Sequence, residues 1–340
     1  MKKRYYLAGL LAASALFSCA ALERPDLSQY ARYRFETPVK SSATQKSVAV
    51  TAPQKMEVTF LGTSTLYFND GKTGVLVDGF FTRPGNLWQL LFGEIQSDHA
   101  KVADYLQRLN IKQLDAIPVF HSHYDHAMDS AEIARLTGAT VLGSESTAQI
   151  ARGENLPEAQ IQVTKPYESY RFGDFTLTLI PSKHVPLPGI VNLTGMMGDV
   201  DKPLKQPASL FAFAEGETYA IHIAHPLGNS MVHSGAFLPG ELKGKYPVDT
   251  LFQCTPGLQK LAPEVQQQYL KEIILETGVK RIVPVHWDDF THSLDESLVP
   301  LPRGAEDMEA AMNFLIEEST PRGIEIGFLP TWQPRVIYSR

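Results

Sequence analysis

Cysteine is nearly absent from this chain of 340 residues, in which only Cys19 and Cys254 occur. Cys19 lies in an N-terminal segment with the layout of an export signal, so the remaining domain has no pair of cysteines for an intramolecular disulfide. Cys254 ends the strand-like stretch DTLFQC, where we expect a small buried side chain rather than a catalytic thiol.

An excess of positive charge is also absent. The chain has 31 Lys and Arg against 37 Asp and Glu, which gives a formal net charge of -6, and its basic residues are spread along the sequence. A protein without a basic stripe cannot neutralise many phosphates at once. Nucleic acid is therefore not expected as a partner.

The apolar run at the N-terminus is too short to span a bilayer comfortably. It follows three basic residues, extends from Leu7 to Phe17 and ends in small residues, which is the layout of a secretory signal. The stretch LFSC resembles a bacterial lipoprotein signal, in which Cys19 becomes the lipidated first residue. We predict an exported, periplasmic protein with a lipid anchor in a bacterial membrane. Cleavage near Ala20 or Ala21, giving a soluble periplasmic or secreted protein, is the alternative.

Three segments follow from this pattern. Residues 1–19 are predicted to be the lipoprotein-type signal peptide. Residues 20–53 contain Ser, Thr, Gln, Lys and Pro with little apolar periodicity, and they are predicted to be a flexible tether. Residues 54–340 alternate strand and helix signals and are long enough for one large core, so we expect a single catalytic domain there.

The order of the elements predicts the fold class. The turn cluster NDGKTG between two β-rich runs predicts a hairpin. Asp129, with Glu132 three residues later, predicts a capping box on a helix that ends near Gly138. Beyond residue 140 the chain is rich in strand signals, and another helix begins near Pro263. Two strand-rich halves with flanking helices predict an α+β or α/β protein with stacked sheets and helices on both outer faces.

Histidine is scarce, with 10 in the chain, yet three surround one aspartate in the motif HSHYDH, residues 121–126. Side chains two residues apart share a face of an extended segment, so His121 and His123 can bind one cation together. Asp125 and His126 lie at the turn into a helix and can offer a carboxylate and a third imidazole to a second cation. Such ligands suit zinc, and manganese, iron and nickel also accept them.

The motif HSHYDH after an apolar strand resembles the metal motif of the metallo-β-lactamase superfamily, and the resemblance extends from about Met56 to the C-terminus. It implies a four-layer αβ/βα sandwich. Asp78 in GVLVD matches an aspartate that supports the metal ligands, His184 in LIPSKH matches the next ligand, and His286 in IVPVHWDDF matches the last one. The HW context of His286 resembles the branch of ascorbate-lactonase-like proteins and N-acyl phosphatidylethanolamine phospholipases.

The resemblance implies two sets of three metal ligands. The first set is His121, His123 and His184. The second set is Asp125, His126 and His286. We expect one or two Zn²⁺ ions, with Mn²⁺, Fe²⁺ or Ni²⁺ as alternatives.

One position departs from the pattern of the superfamily. The strand SMVHSGAF is the best match to a strand that ends in an aspartate bridging two metal ions, and Ala236 stands at that position. Three explanations stay open. In the first, Asp199 or Asp249 bridges the two metal ions instead. In the second, the side chain of Asp288 or Asp289 reaches into the site. In the third, six protein ligands and a bridging hydroxide hold the metal ions, with weaker or single occupancy. We prefer the third.

The implied activity is that of a metal-dependent hydrolase, in which a metal-bound hydroxide attacks an ester, lactone, amide or phosphodiester. Asp125 is the predicted catalytic residue, because it can orient the hydroxide and carry a proton. The alternative, which Ala236 raises, is a catalytically weak or inactive metal-binding or scaffold member of the same fold. A redox role, as in di-iron members, ranks third because no flavin domain is appended.

The apolar stretch DGFFTRPGNLWQLLFGEI after the strand GVLV is a candidate flap over a small-molecule or lipid-like substrate, or a segment that lies against a lipid surface. Packing into the core of the domain is the alternative. Arg83 and Trp88 within it are predicted to bind substrate, and Arg83 would bind an anionic group of that substrate. Tyr124, between two ligands, is the third predicted substrate-binding residue. Three more histidines are candidates for extra ligands, although buried, hydrogen-bonded roles are preferred for them: His222, His225 and His233.

Overall fold

Two seven-stranded sheets stack face to face in the computed structural model, which describes residues 23–35, 54–85, 87–186, 194–237, 240, 242 and 245–340. The signal segment 1–19 and residues 20–22 and 36–53 of the predicted tether lie outside the described residues. The strands of the first sheet are β1 (Lys55–Phe60), β2 (Leu66–Asn69), β3 (Gly74–Val77), β4 (Ala116–Pro118), β5 (Thr140–Gly143), β6 (Ile161–Val163) and β14 (Arg335–Ser339).

The strands of the second sheet are β7 (Ser169–Phe172), β8 (Phe175–Pro181), β9 (Tyr219–His225), β10 (Gly228–His233), β11 (Thr250–Cys254), β12 (Arg281–Val285) and β13 (Glu325–Ile326). The spatial orders are β14-β1-β2-β3-β4-β5-β6 and β13-β12-β11-β10-β9-β8-β7. Each sheet has an antiparallel half and a parallel half: β3 to β6 are parallel in the first, and β10 to β13 in the second. The predicted hairpin is confirmed as β2 and β3, which pair antiparallel on either side of NDGKTG.

Helices cover the outer faces of the sheets. They are α1 (Leu87–Phe92), α2 (His99–Arg108), α3 (Tyr124–Ala127), α4 (Ser130–Thr137), α5 (Glu145–Gly153), α6 (Pro263–Tyr269) and α7 (Met308–Ser319), and a π-helical stretch, Leu270–Leu275, continues α6. Short 3-10 turns occupy Leu27–Tyr30, Glu158–Gln160, Leu210–Ala212, Leu258–Lys260 and Thr320–Arg322. Within the described ranges, no helix combines the length and the apolar character that crossing a bilayer requires.

Successive side chains along a strand point to opposite faces of the sheet and so contribute to two different hydrophobic cores. In β3, Val75 and Val77 belong to the core between the sheets, while Leu76 belongs to the core under the helices of the N-terminal half. Phe68 of β2 meets Phe252 of β11 edge to face across the sheets, with 5.3 Å between ring centroids. The expected four-layer αβ/βα sandwich is therefore confirmed.

The predicted helix after Asp129 is present, but its start differs from the prediction. α4 ends at Gly138, whose φ of 79° gives the left-handed end that glycine favours. The Asp129 carboxylate makes no bond to the start of α4 and instead accepts hydrogen bonds from the backbone N–H groups of Phe81 and Thr82, at 2.7 and 2.6 Å. The capping box is wrong because this carboxylate holds the segment that follows Asp78.

Residues 23–35 pack on the domain, unlike the flexible tether that we predicted for residues 20–53. Tyr30 and Phe35 are buried in the core between the sheets. Backbone bonds join this segment to Phe328, which donates to Tyr33 at 2.7 Å and accepts from Phe35 at 3.1 Å. Arg24 forms an ion pair of 2.6 Å with Asp289. The tether prediction is wrong for this stretch because three aromatic residues in it bury their rings or contact the core.

Candidate metal centre

The predicted ligands lie where strands of both sheets end. Asp78 follows β3, and the segment after β4 leads into α3 with the HSHYDH motif. In the second sheet, His184 lies three residues after β8 and His286 directly follows β12. Because these strand ends share one edge of the sandwich, residues up to 165 positions apart meet there. The ligand atoms lie within 4.8 Å of one another in each of two groups: His121, His123 and His184, then Asp125, His126 and His286.

Hydrogen bonds set the tautomers of the first group. His123 donates through Nε2 to the carbonyl of Met196 at 3.1 Å, and His184 donates through Nδ1 to the carbonyl of Val185 at 2.7 Å. A carbonyl only accepts, so the lone pairs stay on His123 Nδ1 and His184 Nε2. His123 Nδ1 lies 2.9 Å from His121 Nε2. Lone pairs converging in this way are what a metal ion requires.

Asp78 organises the second group. Its carboxylate accepts from the backbone N–H of Phe120 at 2.8 Å, from the hydroxyl of Ser64, and from His126 Nδ1 at 2.8 Å. His126 Nε2 is thereby free to face Asp125 Oδ2, 3.6 Å away, and His286 Nε2 lies 3.2 Å from the same oxygen. Asp78 therefore lies where the sequence predicted it, in contact with the metal ligand His126.

Burial controls the charges of the two groups. Burial lowers the pKa of His121 and of His184, and it lowers the pKa of His123 to about 3, so these imidazoles stay neutral at physiological pH. Burial alone would raise the pKa of Asp125, but the adjacent imidazoles of His126 and His286 outweigh it and hold the pKa low. Burial opposes a charge on His126, but the carboxylates of Asp125 and Asp78 outweigh it and raise the pKa of this imidazole. The neutral imidazoles of the first group and the ionised carboxylate are forms that bind a cation. The donor set therefore fits a divalent metal ion.

Ala236 leaves both groups without a bridging carboxylate among the described residues. Asp249 lies at the other end of β11, where it accepts from Asn229 N and pairs with Lys280 Nζ, each at 2.9 Å. Asp199 is exposed and belongs to neither group. Bridging by either residue is therefore wrong.

Asp288 and Asp289 do not reach in. Asp288 pairs with Arg83 at 2.7 Å, and Asp289 pairs with Arg24 at 2.6 Å. Of the three explanations for Ala236, the described geometry leaves the set of six protein ligands.

An apolar cavity of about 250 Å³ opens above the two groups. Phe120, Tyr124, Val185, Met196, Phe290 and Leu301 supply much of its wall. Cys254 lies among the lining residues, and burial raises the pKa of its thiol well above the usual range. At the rim, Lys260 Nζ pairs with Glu306 at 3.2 Å, and the other Glu306 oxygen accepts from Gly257 N at 3.0 Å.

The three predicted substrate-binding residues have different positions. Tyr124 lines the cavity. Arg83 does not: its side chain has no exposure and its charge is neutralised by Asp288, so the prediction that it binds a substrate anion is wrong. Trp88 also lies outside the cavity lining and is 65% exposed on α1. The stretch predicted as a flap instead packs into the core, which was the alternative, since Phe80 and Phe81 are buried in the core under the helices.

The three further histidines belong to neither of the two metal groups. His222 donates to the carbonyl of Pro247 at 3.0 Å, and His233 Nδ1 accepts from Gly235 N at 2.8 Å. His225 is near Asp70 and Asp174, at the opposite end of the sandwich. Its Nδ1 accepts from Leu227 N at 3.2 Å, so Nε2 carries the proton that faces Asp70, and no lone pair is left for a cation there.

Several supporting groups had no signal in the sequence. Ser64 binds Asp78, and the carbonyls of Met196 and Val185 orient His123 and His184. Backbone carbonyls of this kind carry no residue-type signature, so a sequence pattern cannot reveal them. Ser64 follows the Gly62–Thr63 turn after β1, which was the only local hint of a special conformation.

Comparisons with known proteins agree with this geometry. The profile of the metallo-beta-lactamase superfamily matches residues 58–203, a stretch with Asp78 and all six ligands except His286. A protein of Oenococcus oeni named metal-dependent hydrolase is 27% identical over 241 residues, which are 69% of this chain and 87% of that protein.

Among solved structures, a metallo hydrolase from Ignicoccus hospitalis aligns with a TM-score of 0.54 and 14% identity, over 84% of this chain and all of that one. An isothiocyanate hydrolase from Delia radicum gut bacteria aligns with a TM-score of 0.51 and 13% identity, also over 84% of this chain and all of that one. These two likenesses concern the fold. The profile match, the curated relative and the convergent ligand groups show that the chain is similar to the metallo-β-lactamase superfamily, and they support its assignment as a metal-dependent hydrolase.

Proposed function

We propose that this hydrolase cleaves a carboxylic ester or lactone that carries an apolar substituent. The observation that carries the proposal is the Asp125 carboxylate, which lies between the Nε2 atoms of His286 and His126 at the floor of an apolar cavity of about 250 Å³. Among the described lining residues, Lys260 is the only lysine or arginine, and it is paired with Glu306. A neutral carbonyl substrate therefore suits the walls better than a phosphodiester, and amides and phosphodiesters follow in rank.

The catalytic role in this proposal falls to Asp125. Its Oδ2 lies between the Nε2 atoms of His286 and His126, at 3.2 and 3.6 Å, so the carboxylate is fixed where a water molecule would approach the substrate. Asp125 orients that water and carries its proton toward the leaving group. The apolar walls exclude bulk water from the reacting carbonyl.

The two groups would hold one or two metal ions, with zinc as the first choice and Mn²⁺, Fe²⁺ or Ni²⁺ as alternatives, because imidazole and carboxylate ligands suit all of them. When bound, such an ion supplies Lewis acidity, which lowers the pKa of a water ligand to about 7 and polarises a carbonyl oxygen. Elemental analysis of protein purified without chelator measures metal identity and stoichiometry. Six ligands without a bridging aspartate predict between one and two equivalents per chain.

A panel of chromogenic esters, lactones, amides and phosphodiesters tests the activity. We expect an ester or lactone to be cleaved, and Asp125→Asn to reduce kcat by about 10²–10⁴-fold. Asp249→Asn is the matched control, because Asp249 is also buried but lies at the far end of β11. If zinc, manganese and iron forms cleave no substrate in the panel, the proposed substrate class is wrong.

Ala236 favours a second candidate, a metal-binding or scaffold protein with weak or no catalysis. Such a protein would bind metal through the same six ligands and would leave every substrate intact. Metal binding by the wild-type protein, with no substrate of the panel cleaved, would select this candidate over the enzyme.

We also propose that the protein is exported to the periplasm and anchored there by a lipid on Cys19. The support is the sequence of residues 1–19, with its basic start, its apolar run and LFSC. Labelled palmitate should follow the wild-type protein and not Cys19→Ser. Equal labelling of both, or of neither, would favour the soluble alternative with cleavage near Ala20 or Ala21.

A further inference from the structure

The chain enters the folded domain beside the mouth of the cavity. The exposed lining residues Pro186, Lys260 and Ala305 mark that mouth. The backbone N–H of Arg303 donates to the carbonyl of Glu23 at 2.8 Å. Since Arg303 precedes Ala305 by two residues, which span at most about 7 Å, Glu23 lies roughly 10 Å from the mouth.

Further contacts hold this entry point against the wall of the cavity. The Arg24 guanidinium pairs with Asp289 at 2.6 Å and donates to the carbonyl of Pro300. Asp289 precedes Phe290 and Pro300 precedes Leu301, and both of these apolar residues line the cavity. The entry point cannot swing away from the mouth without breaking this partly buried ion pair.

The distance from Cys19 to the entry point is short compared with the domain. Only residues 20–22 separate Cys19 from Glu23, and four residue steps reach about 14 Å at full extension. A domain of about 290 residues has a radius of gyration of about 19 Å and hence a diameter of about 50 Å. A lipid on Cys19 would therefore determine which face of the domain meets the bilayer.

Two exposed apolar side chains follow, within a few positions of the chain, residues that line the cavity or contact its wall. Met197, which is 38% exposed, follows a residue that lines the cavity. Trp88, which is 65% exposed, lies on α1, and this helix begins four residues after Arg83. Arg83 donates to the carbonyl of Asp289, the ion-pair partner of Arg24, at 3.3 Å. Tryptophan is favoured at the boundary between lipid and water, where its ring is apolar and its N–H is polar.

We propose that the mouth of the cavity faces a lipid bilayer, with Trp88 and Met197 at the level of the headgroups, so that substrate enters from the lipid–water interface. This inference rests on the proposed anchor at Cys19. It also gives a reason for the packing of residues 23–35: the segment fixes an orientation, where a flexible tether would leave the domain free to turn.

Two labelled positions at opposite ends of the domain test the orientation. Ala305→Cys places a fluorophore at the mouth, and Pro226→Cys places one in the exposed turn between β9 and β10. β9 pairs with β8 near the metal groups at Tyr219, and its seven residues carry the chain about 23 Å away from them. Cys254 is buried and stays unlabelled.

Full-length lipidated protein is reconstituted in vesicles of phosphatidylethanolamine and phosphatidylglycerol that contain a rhodamine-labelled lipid as energy acceptor. We expect at least threefold higher transfer efficiency from position 305 than from position 226. Equal or reversed efficiencies in vesicle-bound protein would overturn the orientation while leaving the anchor intact. Wild-type protein that does not float with the vesicles would contradict the anchor, and the inference with it.

Tryptophan fluorescence gives a second measurement that needs no added label. Vesicles made with brominated acyl chains should quench part of the wild-type emission, and Trp88→Phe should lose that quenchable part. Trp287, only 7% exposed, and Trp332, which is half-buried and donates to the carbonyl of Leu294 at 3.0 Å, supply the emission that remains in this variant. Equal quenching of wild type and Trp88→Phe would contradict the placement of Trp88 at the headgroups.

Discussion

Arg83 and Asp288 form an ion pair of 2.7 Å in which neither side chain has any exposed surface. The other Asp288 oxygen accepts from the backbone N–H of Thr63 at 2.7 Å, and the Thr63 carbonyl accepts from the N–H of His286, also at 2.7 Å. Thr63 and His286 both have left-handed backbones, with φ of 50° and 60°. The ion pair thus supports, through Thr63, a strained conformation at the last predicted metal ligand.

Removing one member of this pair should destabilise the fold. Arg83→Met leaves the Asp288 carboxylate buried without its countercharge, which typically costs about 3–5 kcal/mol. Urea unfolding monitored by circular dichroism measures the loss. The double variant Arg83→Met/Asp288→Asn should recover part of it, because the uncompensated charge is gone.

The exposed pair of Lys55 and Glu57 is the control. These side chains are 2.7 Å apart but 56% and 29% exposed, so solvent screens their attraction. Lys55→Met should cost at most about 1 kcal/mol. A loss of that size for Arg83→Met as well would mean that burial of the Arg83–Asp288 pair has no energetic consequence.

The same network should affect metal affinity. Asp288→Ala removes the acceptor for Thr63 and loosens His286, and residues that orient a ligand typically change affinity by about 10–100-fold. Asp288→Asn keeps an oxygen for the Thr63 N–H, so its loss should be smaller. Competition with a chromophoric chelator measures both. Equal affinities of both variants and the wild type would show that Asp288 does not position His286.

The sequence predicted the site better than its surroundings, for a physical reason. His121, His123, Asp125 and His126 share a short motif, and backbone geometry alone brings such residues together after a strand. His184 and His286 were identified through the resemblance to the superfamily pattern, and the structure brings them to the motif because each follows a strand that ends at the same edge of the sandwich. Periodicity and turn composition likewise predicted the hairpin and the αβ/βα layers.

Arg83 illustrates what the sequence could not give. A charged residue in an apolar loop is expected to face solvent or substrate, and its partner Asp288 is 205 positions away. Asp129 gives a similar case: its spacing to Glu132 favours a helix cap, but tertiary contacts direct its carboxylate to Phe81 and Thr82. Long-range pairing of a single charge leaves no periodic trace in a sequence.

Asp78 and Asp249 provide a matched pair of variants for the metal site. Both carboxylates are buried and hydrogen bonded, but only Asp78 contacts a ligand, through His126. Asp78→Ala should lower metal affinity by about 10–100-fold. Asp249→Asn should leave affinity unchanged, although it weakens the pairing with Lys280. Loss of metal in Asp249→Asn would revive bridging by Asp249 and would contradict the described position of this side chain.

The buried His233 should make stability depend on pH. Burial lowers its pKa to about 3, while an unfolded histidine titrates near 6.5. Below pH 6.5 the unfolded state therefore binds a proton that the folded state does not, and stability falls as the pH falls toward 3. Between pH 7 and 5 the free energy of unfolding should fall by about 2 kcal/mol for this reason.

Replacing His233 by a side chain that does not titrate separates its contribution to the pH dependence of stability from that of the other titratable groups. His233→Gln should lose less stability than wild type between pH 7 and 5, by up to about 2 kcal/mol in urea unfolding. Tyr269→Phe is the control, because Tyr269 is the ring beside His233 and burial raises its pKa far above this range. Its curve should run parallel to that of the wild type. If the His233→Gln curve is also parallel, the folded protein protonates His233 as readily as the unfolded chain does, and its burial as a neutral imidazole is wrong.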